Sequence, residues 1–212
     1  ASGDETAALA AYTAALTGAT SVTLTASDTN WSVTTVDLAT ALATDGAKIK
    51  FADTDDLTVT GIANGAETAA LTAYTAPLTG AKSVTLTAND NAWEIATTNL
   101  TTALATDGAK IKFAATDTLT VTGIANGDET AALTAFTTTK TGASSVTLTA
   151  DGAWSVVGST LKTALDDSVL LIGKLTVTEI AYGDEAAAST TYSKTATGAS
   201  NVILTASDGT WS

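Results

Sequence analysis

A β-rich tandem array, with one short helix in each unit of about 62 residues, is the fold class this sequence predicts. Three observations carry it: the chain repeats itself, its apolar residues alternate over short runs bounded by Gly and Asp, and a four-residue Leu spacing recurs once per unit. The alternative is an α/β solenoid in which the opening stretch, Glu5 to Leu16, is helical in every unit.

The repeat sets the organisation. Gly3-Asp4-Glu5-Thr6-Ala7-Ala8-Leu9 returns as Gly65-Ala66-Glu67-Thr68-Ala69-Ala70-Leu71, as Gly127-Asp128-Glu129-Thr130-Ala131-Ala132-Leu133, and more loosely from Gly183-Asp184-Glu185, at spacings of 62, 62 and 56 residues. Every tryptophan, Trp31, Trp93, Trp154 and Trp211, holds one repeat position. Ala41 to Ala52 is identical to Ala103 to Ala114, whereas the third unit replaces Lys-Ile-Lys-Phe with Val169-Leu170-Leu171-Ile172 and is about five residues shorter there. The expected units are 3–64, 65–126, 127–182 (shortened) and 183–212 (partial), abutting without a linker.

The elements of a unit follow in order. Glu5 to Leu16 is Ala- and Leu-rich, but its counterparts contain Pro77 and Thr137-Thr138-Thr139-Lys140, so we read a strand leading into a hairpin turn at Gly18, Gly80, Gly142 and Gly198. Ser21-Val22-Thr23-Leu24-Thr25 alternates polar and apolar, as a half-buried strand does. Leu38 and Leu42, Leu100 and Leu104, and Leu161 and Leu165 are four apart, one turn of helix, with Gly46 and Gly108 placed as C-caps. Lys48-Ile49-Lys50-Phe51 and Leu57-Thr58-Val59-Thr60 alternate again and read as strands.

Composition limits the function classes. The apolar fraction is 45% but much of it is Ala, and aromatics are 5%, so several small cores are expected rather than one large one. The net charge is −13 and every basic residue is Lys, which argues against nucleic acid and against anionic membrane surfaces and suits a soluble extracellular or cell-surface protein. No apolar run is long enough for membrane insertion. Without His or Cys there is no Ser-His or Cys-His nucleophile and no ordinary zinc site. A Ser-Lys pair is formally possible, for example Lys82 with Ser83, but adjacent strand residues face opposite ways. We therefore expect no enzyme and no cofactor, with Ca²⁺ the one ion the composition suits.

Carboxylates are the abundant reactive groups. Asp4, Glu5, Asp128, Glu129, Asp184 and Glu185 recur at unit junctions, and Asp53, Asp55 and Asp56 cluster in a turn. They read as solvated turn residues, as Ca²⁺ ligands, since hard oxygen donors at turns are what Ca²⁺ uses, or as a carboxylate pair for glycoside hydrolysis, which their recurrence in every unit disfavours. Trp31, Trp93, Trp154 and Trp211 read as plugs between units, because Trp buries a large area in units short of large side chains; a sugar-binding platform is the other use of such a ring. Asn30 and Asn99 begin Asn-x-Ser/Thr acceptors for glycosylation. Thr-x-Thr pairs such as Thr23/Thr25, Thr58/Thr60 and Thr85/Thr87 present two hydroxyls on one strand face, either as an ordinary exposed β face or as an ice-binding surface.

Ser21 to Thr25, Leu38 to Leu42, Gly46 to Ile49 and Leu57 to Thr60, taken together, resemble the repeat arrays of giant bacterial surface adhesins, the biofilm-associated and RTX-type secreted proteins. The glycine-rich nonapeptide that binds calcium in that family is absent, so its calcium chemistry is not carried over. The resemblance implies a non-enzymatic, extracellular or cell-surface role: a fibre, stalk or matrix component, or an adhesin segment that engages surface glycans. Ala1 reads as a processed or internally cut start, and both ends match internal sites of the repeat. Val202, Ile203, Leu204 and Trp211 have no following strand to cover them, so either a longer chain or another copy is expected to complete the last unit, head to tail.

Overall fold

The computed structural model describes residues 3–12, 17–207 and 209. Its strands are β1 (Val22–Leu24), β2 (Asn30–Thr34), β3 (Ile49–Phe51), β4 (Asp56–Ile62), β5 (Ser83–Ala88), β6 (Ala92–Ala96) and β7 (Ile111–Phe113), then β8 (Thr118–Ile124), β9 (Ser145–Ala150), β10 (Trp154–Val157), β11 (Val169–Ile172), β12 (Lys174–Ile180) and β13 (Asn201–Ala206). The helices recur with them. A seven-residue helix opens each repeat (Glu5–Ala11, Glu67–Ala73, Glu129–Ala135, Glu185–Thr191), and a four-residue helix follows it (Ala76–Thr79, Thr138–Thr141, Lys194–Thr197). A longer helix follows the Trp strand (Thr35–Asp45, Thr97–Asp107, Gly158–Asp166).

The expected β-rich array with a single short helix per unit is therefore wrong: the fold is α/β, with parallel strand pairs and several helices to each repeat. The opening stretch is helix, not strand. In Glu67–Ala73 the buried residues are Glu67, Ala70 and Leu71, an i, i+3, i+4 set, and in Glu129–Ala135 they are Glu129, Ala132 and Leu133. Ala favours helix and disfavours strand, so propensity and burial agree. Pro77 does not break this helix. It lies in the first turn of the separate short helix Ala76–Thr79, where an amide proton is not needed.

The hairpin expectation fails for a related reason. Gly80 is the left-handed C-cap of that short helix, and its amide donates to the Ala76 carbonyl at 2.7 Å. A β-carbon there would stand 2.8 Å from the Phe51 carbonyl oxygen, so the close approach also demands glycine. Gly142 and Gly198 cap their short helices in the same way.

Two structural units divide the chain: Ala1–Trp93 with Asn99–Asp117, and Glu94–Thr98 with Thr118–Ser212. The first holds the pair β1-β3 and the four-stranded sheet β2-β4-β5-β7. Val33, Val59, Leu86 and Phe113 stand side by side across that sheet, each almost fully buried. Burial of each such side chain contributes about 1.5–3 kcal/mol. The second holds β11-β9-β8-β6 and β10-β12-β13; Leu171, Leu148 and Val121 line one core row, and Val156, Val177 and Leu204 another.

The sheets are out of phase with the sequence repeat. In β2-β4-β5-β7 the first two strands come from residues 3–64 and the last two from 65–126. Likewise β10 and β12 belong to residues 127–182 and β13 to 183–212. Neighbouring repeats are thus joined by main-chain ladders, as β4 to β5 and β12 to β13.

Candidate functional site

The recurring tryptophans are buried: Trp31 is 5% exposed, Trp93 1% and Trp154 0%. Trp211 lies outside the described residues. Each described ring donates its indole N–H to an acceptor in its own repeat. Trp31 Nε1 reaches Asp55 Oδ2 at 2.9 Å, and Trp93 Nε1 reaches Asp117 Oδ2 at 2.8 Å. Phe51 and Phe113 lie edge-on to the rings at centroid distances of 5.1 and 4.8 Å.

The aspartates complete a latch. Asp55 Oδ2 also accepts the Ala26 amide at 2.6 Å, and Oδ1 accepts the Thr54 hydroxyl at 2.8 Å. Asp117 does the same with Ala88 at 2.8 Å and Thr116 at 3.0 Å. Burial opposes the charge of Asp55, but the Ala26 amide, the Trp31 indole and the Thr54 hydroxyl outweigh it and hold the carboxyl below its ordinary value. In the first repeat this one carboxylate ties the end of β1 to β2, strands of two different sheets. Asp117 was not singled out from the sequence; the signal was the Thr-Asp pair placed 24 residues after the Trp in both intact repeats. The third repeat, shortened there, has no such Asp, and Trp154 Nε1 donates instead to the Ile172 carbonyl at 3.0 Å.

Placed in the fold, the remaining candidate carboxylates do not converge. Asp53 is exposed, and Asp56 accepts from Ser83 Oγ at 2.6 Å and from Lys82 Nζ at 3.3 Å. The Ser83 bond, helped by Lys82 against the cost of burial, holds Asp56 below its ordinary value. Lys82 and Ser83 are thus both engaged by one carboxylate. Asp4, Asp128 and Asp184 are exposed N-cap residues, while Glu129 and Glu185 turn inward and are 4% exposed. Glu129 Oε2 accepts the Gly127 amide at 2.8 Å, as Glu5 accepts that of Gly3 at 2.6 Å. Among the described residues no three acidic side chains come together as ligands for a metal.

A second carboxylate recurs at the end of the long helix and caps the short one. Asp107 Oδ2 accepts the Ala76 amide at 3.0 Å, and its other oxygen is buried without a hydrogen bond. Burial pushes its carboxyl above the ordinary value despite the Ala76 amide and the charge of Lys110. Asp167 holds the same place in the third repeat. It accepts the Thr139 amide at 3.2 Å, the Thr139 hydroxyl at 2.7 Å and the Thr138 hydroxyl at 2.9 Å. Burial works against its charge, but the Thr137, Thr139 and Thr138 donors bring the carboxyl down to about 2.

Asn30 is exposed at the start of β2, where Nδ2 donates to the Asp28 carbonyl at 2.7 Å. Asn99 lies in the helix Thr97–Asp107, half-buried, its Nδ2 3.5 Å from Thr68 Oγ1. The hydroxyl rows do not make a uniform grid. Ser32, Thr58 and Thr85 line up across one sheet but the row ends on Lys112, and Thr120 and Thr147 are followed by Leu170.

The strand edges differ from one another. Val84, Leu86, Val146 and Leu148 are 0% exposed in β5 and β9, each strand paired on both sides. In β13 the matching Val202 and Leu204 are half-buried and Ile203 is 54% exposed, and among the described residues β13 pairs with β12 alone. In the first unit β1 pairs with β3 alone among the described residues, and Tyr12 is 56% exposed. Its counterparts Tyr74 and Tyr192 are 8% exposed and donate to the carbonyls of Thr35 and Gly158, in the preceding repeat, at 3.4 and 2.7 Å.

Comparison with models of known families, with curated proteins and with solved structures gives no match.

Proposed function

We propose that this chain is an extracellular structural repeat protein, a fibre, stalk or matrix component that self-associates head to tail or belongs to a longer array. The observation that carries the reading is the phase shift between sequence repeat and sheet. Because β4 pairs with β5 and β12 with β13, each repeat is joined to the next by a parallel main-chain ladder rather than by a linker. Such joints suit a load-bearing series of modules, in which each repeat is completed by its neighbour. The acidic, cysteine-free composition is in keeping with a solvent-exposed setting.

The adhesin reading through a tryptophan platform has less to rest on, since the rings of Trp31, Trp93 and Trp154 are buried and their N–H groups are occupied. Immunogold electron microscopy on the cells that make the protein tests the proposal. Label on filaments or a surface layer outside the cell is the expected result; label confined to the cytosol would overturn it.

A further inference from the structure

Independently of the structural reading above, we propose that Asn126-Gly127 is a self-modification site, at which the Gly127 nitrogen closes on the Asn126 side chain with the buried carboxylate of Glu129 as base. Asn126 and Gly127 are the middle residues of the turn between β8 and the opening helix Glu129–Ala135, closed by the Asp128 amide on the Ala125 carbonyl at 3.0 Å. A glycine after the asparagine puts no β-carbon beside the attacking nitrogen, so the approach to the side-chain amide is open. What remains is to remove the amide proton. Here the Gly127 N–H donates to Glu129 Oε2 at 2.8 Å, within the reach of a general base. Glu129 is 4% exposed, its Oε1 is buried without a hydrogen bond, and Gly127 is the one donor its carboxylate has among the described residues. The carboxylate can take the proton without first releasing another partner.

The other repeats separate the parts of this arrangement. Gly3 carries the same grip, on Glu5 Oε2 at 2.6 Å, but follows Ser2, and Gly183 follows Tyr182, so neither has a side-chain amide to attack. Asn64-Gly65 has the amide but not the grip. Its turn is closed in the same way, by Ala66 on Ala63 at 2.9 Å, yet among the described residues no hydrogen bond joins Gly65 to Glu67. Asn64 Nδ2 is also held, by Asp90 Oδ2 at 3.2 Å. The next repeat has Asp151-Gly152 in place of Asn89-Asp90-Asn91, and the exposed Asn126 side chain makes no hydrogen bond among the described residues. The step balances within the chain. Glu129 takes the Gly127 amide proton, the nitrogen lone pair forms a bond to Asn126 Cγ, and the proton passes to the side-chain nitrogen as the Cγ–Nδ2 bond breaks and ammonia leaves. Water then opens the resulting succinimide at either carbonyl, giving aspartate or isoaspartate and a new negative charge two residues before Asp128.

Asn64-Gly65 and Asn126-Gly127 are the two Asn-Gly pairs of the chain, so each serves as the control for the other. The full 212-residue chain is kept in heavy-oxygen water at neutral pH, sampled over weeks and mapped by peptide mass spectrometry, so that each succinimide opened by water carries a heavy oxygen. The expected result is label at position 126 rising at least about tenfold faster than at position 64, preceded by a species that has lost one ammonia. In urea above the unfolding midpoint, where the grip is gone, the two sites should react at similar rates. Glu129→Gln keeps an acceptor for the Gly127 amide but cannot take its proton. With circular dichroism matching the parent, this variant should convert position 126 at least about tenfold more slowly. Similar rates at the two sites in the folded parent, or undiminished conversion in the folded Glu129→Gln variant, overturns the proposal. If that variant does not fold, the parent decides alone: a position 126 that outpaces position 64 in the native chain and not in urea supports the site, and one that reacts only when unfolded overturns it.

Discussion

Pro77 deprives Asp107 of a hydrogen bond. The carboxylate of Asp107 sits over the first turn of the short helix Ala76–Thr79 and takes the Ala76 amide, but the next residue is a proline and has no N–H to offer. In the third repeat the residue in that position is Thr139, and Asp167 takes both its amide and its hydroxyl. The change from Thr138-Thr139 to Ala76-Pro77 between two copies of the same cap thus leaves a buried oxygen unpartnered in one and satisfied in the other.

The substitution Pro77→Thr is expected to lower the Asp107 carboxyl from its raised value toward the ordinary one, in the direction of Asp167. The stability change should be small, because the hydrogen bonds gained, about 1 kcal/mol each, are partly offset by the added freedom of the unfolded chain. Carboxyl-detected NMR titration reads the shift directly, and an unmoved Asp107 would mean that the introduced threonine does not reach it.

The same two aspartates contribute to stability in opposite pH windows. Asp167 titrates at about 2 in the fold against 3.8 when unperturbed, so the unfolded chain takes up its proton first. Its contribution is whole above pH 3.8 and is lost as pH falls from 3.8 toward 2. It is about 1 kcal/mol after allowance for solvent screening. Asp107 has a raised value, so its protonated form favours the fold: that contribution is present below pH 3.8 and disappears as pH rises through the raised value. Urea titrations across the acid range should show Asp167→Asn losing stability at neutral pH and converging on the parent at the acid end. Asp107→Asn should show the reverse trend.

The Trp–Asp latch should be energetically coupled. Trp93→Ala is expected to cost about 3–5 kcal/mol as a large core truncation. Trp93→Phe and Asp117→Asn should each cost about 1–3 kcal/mol, by leaving a buried partner without its bond. In a double-mutant cycle the two should fall short of additivity by at least about 0.5 kcal/mol. Trp154→Phe should cost less than Trp93→Phe, because the acceptor lost is a neutral carbonyl rather than a carboxylate. Equal penalties at the two sites would show that charge adds nothing to the latch.

Glu179 occupies a position that the other repeats give to glycine. Gly61 and Gly123 have φ of 80° and 69°, at the point where β4 and β8 shift register against the next strand, and Glu179 is held there at 60°. An L-residue in this left-handed region costs roughly 1–2 kcal/mol, and glycine gives back part of that through unfolded-chain entropy. Glu179→Gly should therefore stabilise the protein by about 0.5–1 kcal/mol, read as a higher urea midpoint with an unchanged slope.

What the sequence discloses follows the range of the interactions involved. The repeat, the long helix from the Leu38 and Leu42 spacing, its glycine C-cap at Gly46 and the Ile49/Phe51 face of β3 depend on residues near one another in the chain. The opening helix is legible too, in the Glu67-x-x-Ala70-Leu71 spacing, but Pro77 and the threonine-rich counterparts obscure it when they are read as part of the same element rather than as a second, shorter one. The short helix itself has no local signature. Thr138–Thr141 carries three threonines, poor helix formers, around Lys140 and is held by its Thr137 N-cap and by Asp167 some 29 residues away. Strand direction is hidden as well, since a half-buried strand alternates in the same way whether its neighbour is parallel or antiparallel.

The offset between sheet and repeat has a consequence for how such a gene can grow or shrink. Each four-stranded sheet takes its first half from one copy and its second half from the next, and the boundaries after the two intact copies differ only at Ala66 and Asp128 over Ala63 to Leu71 and Ala125 to Leu133. An unequal crossover that gains or loses one whole period therefore restores complete sheets wherever the breakpoint falls, even in the middle of a strand. Changes that are not whole periods lack this protection and must fall where no ladder runs. The third copy conforms: its missing residues lie around β11, at the turn before β12, and the Trp154 indole has found a carbonyl in place of the lost aspartate.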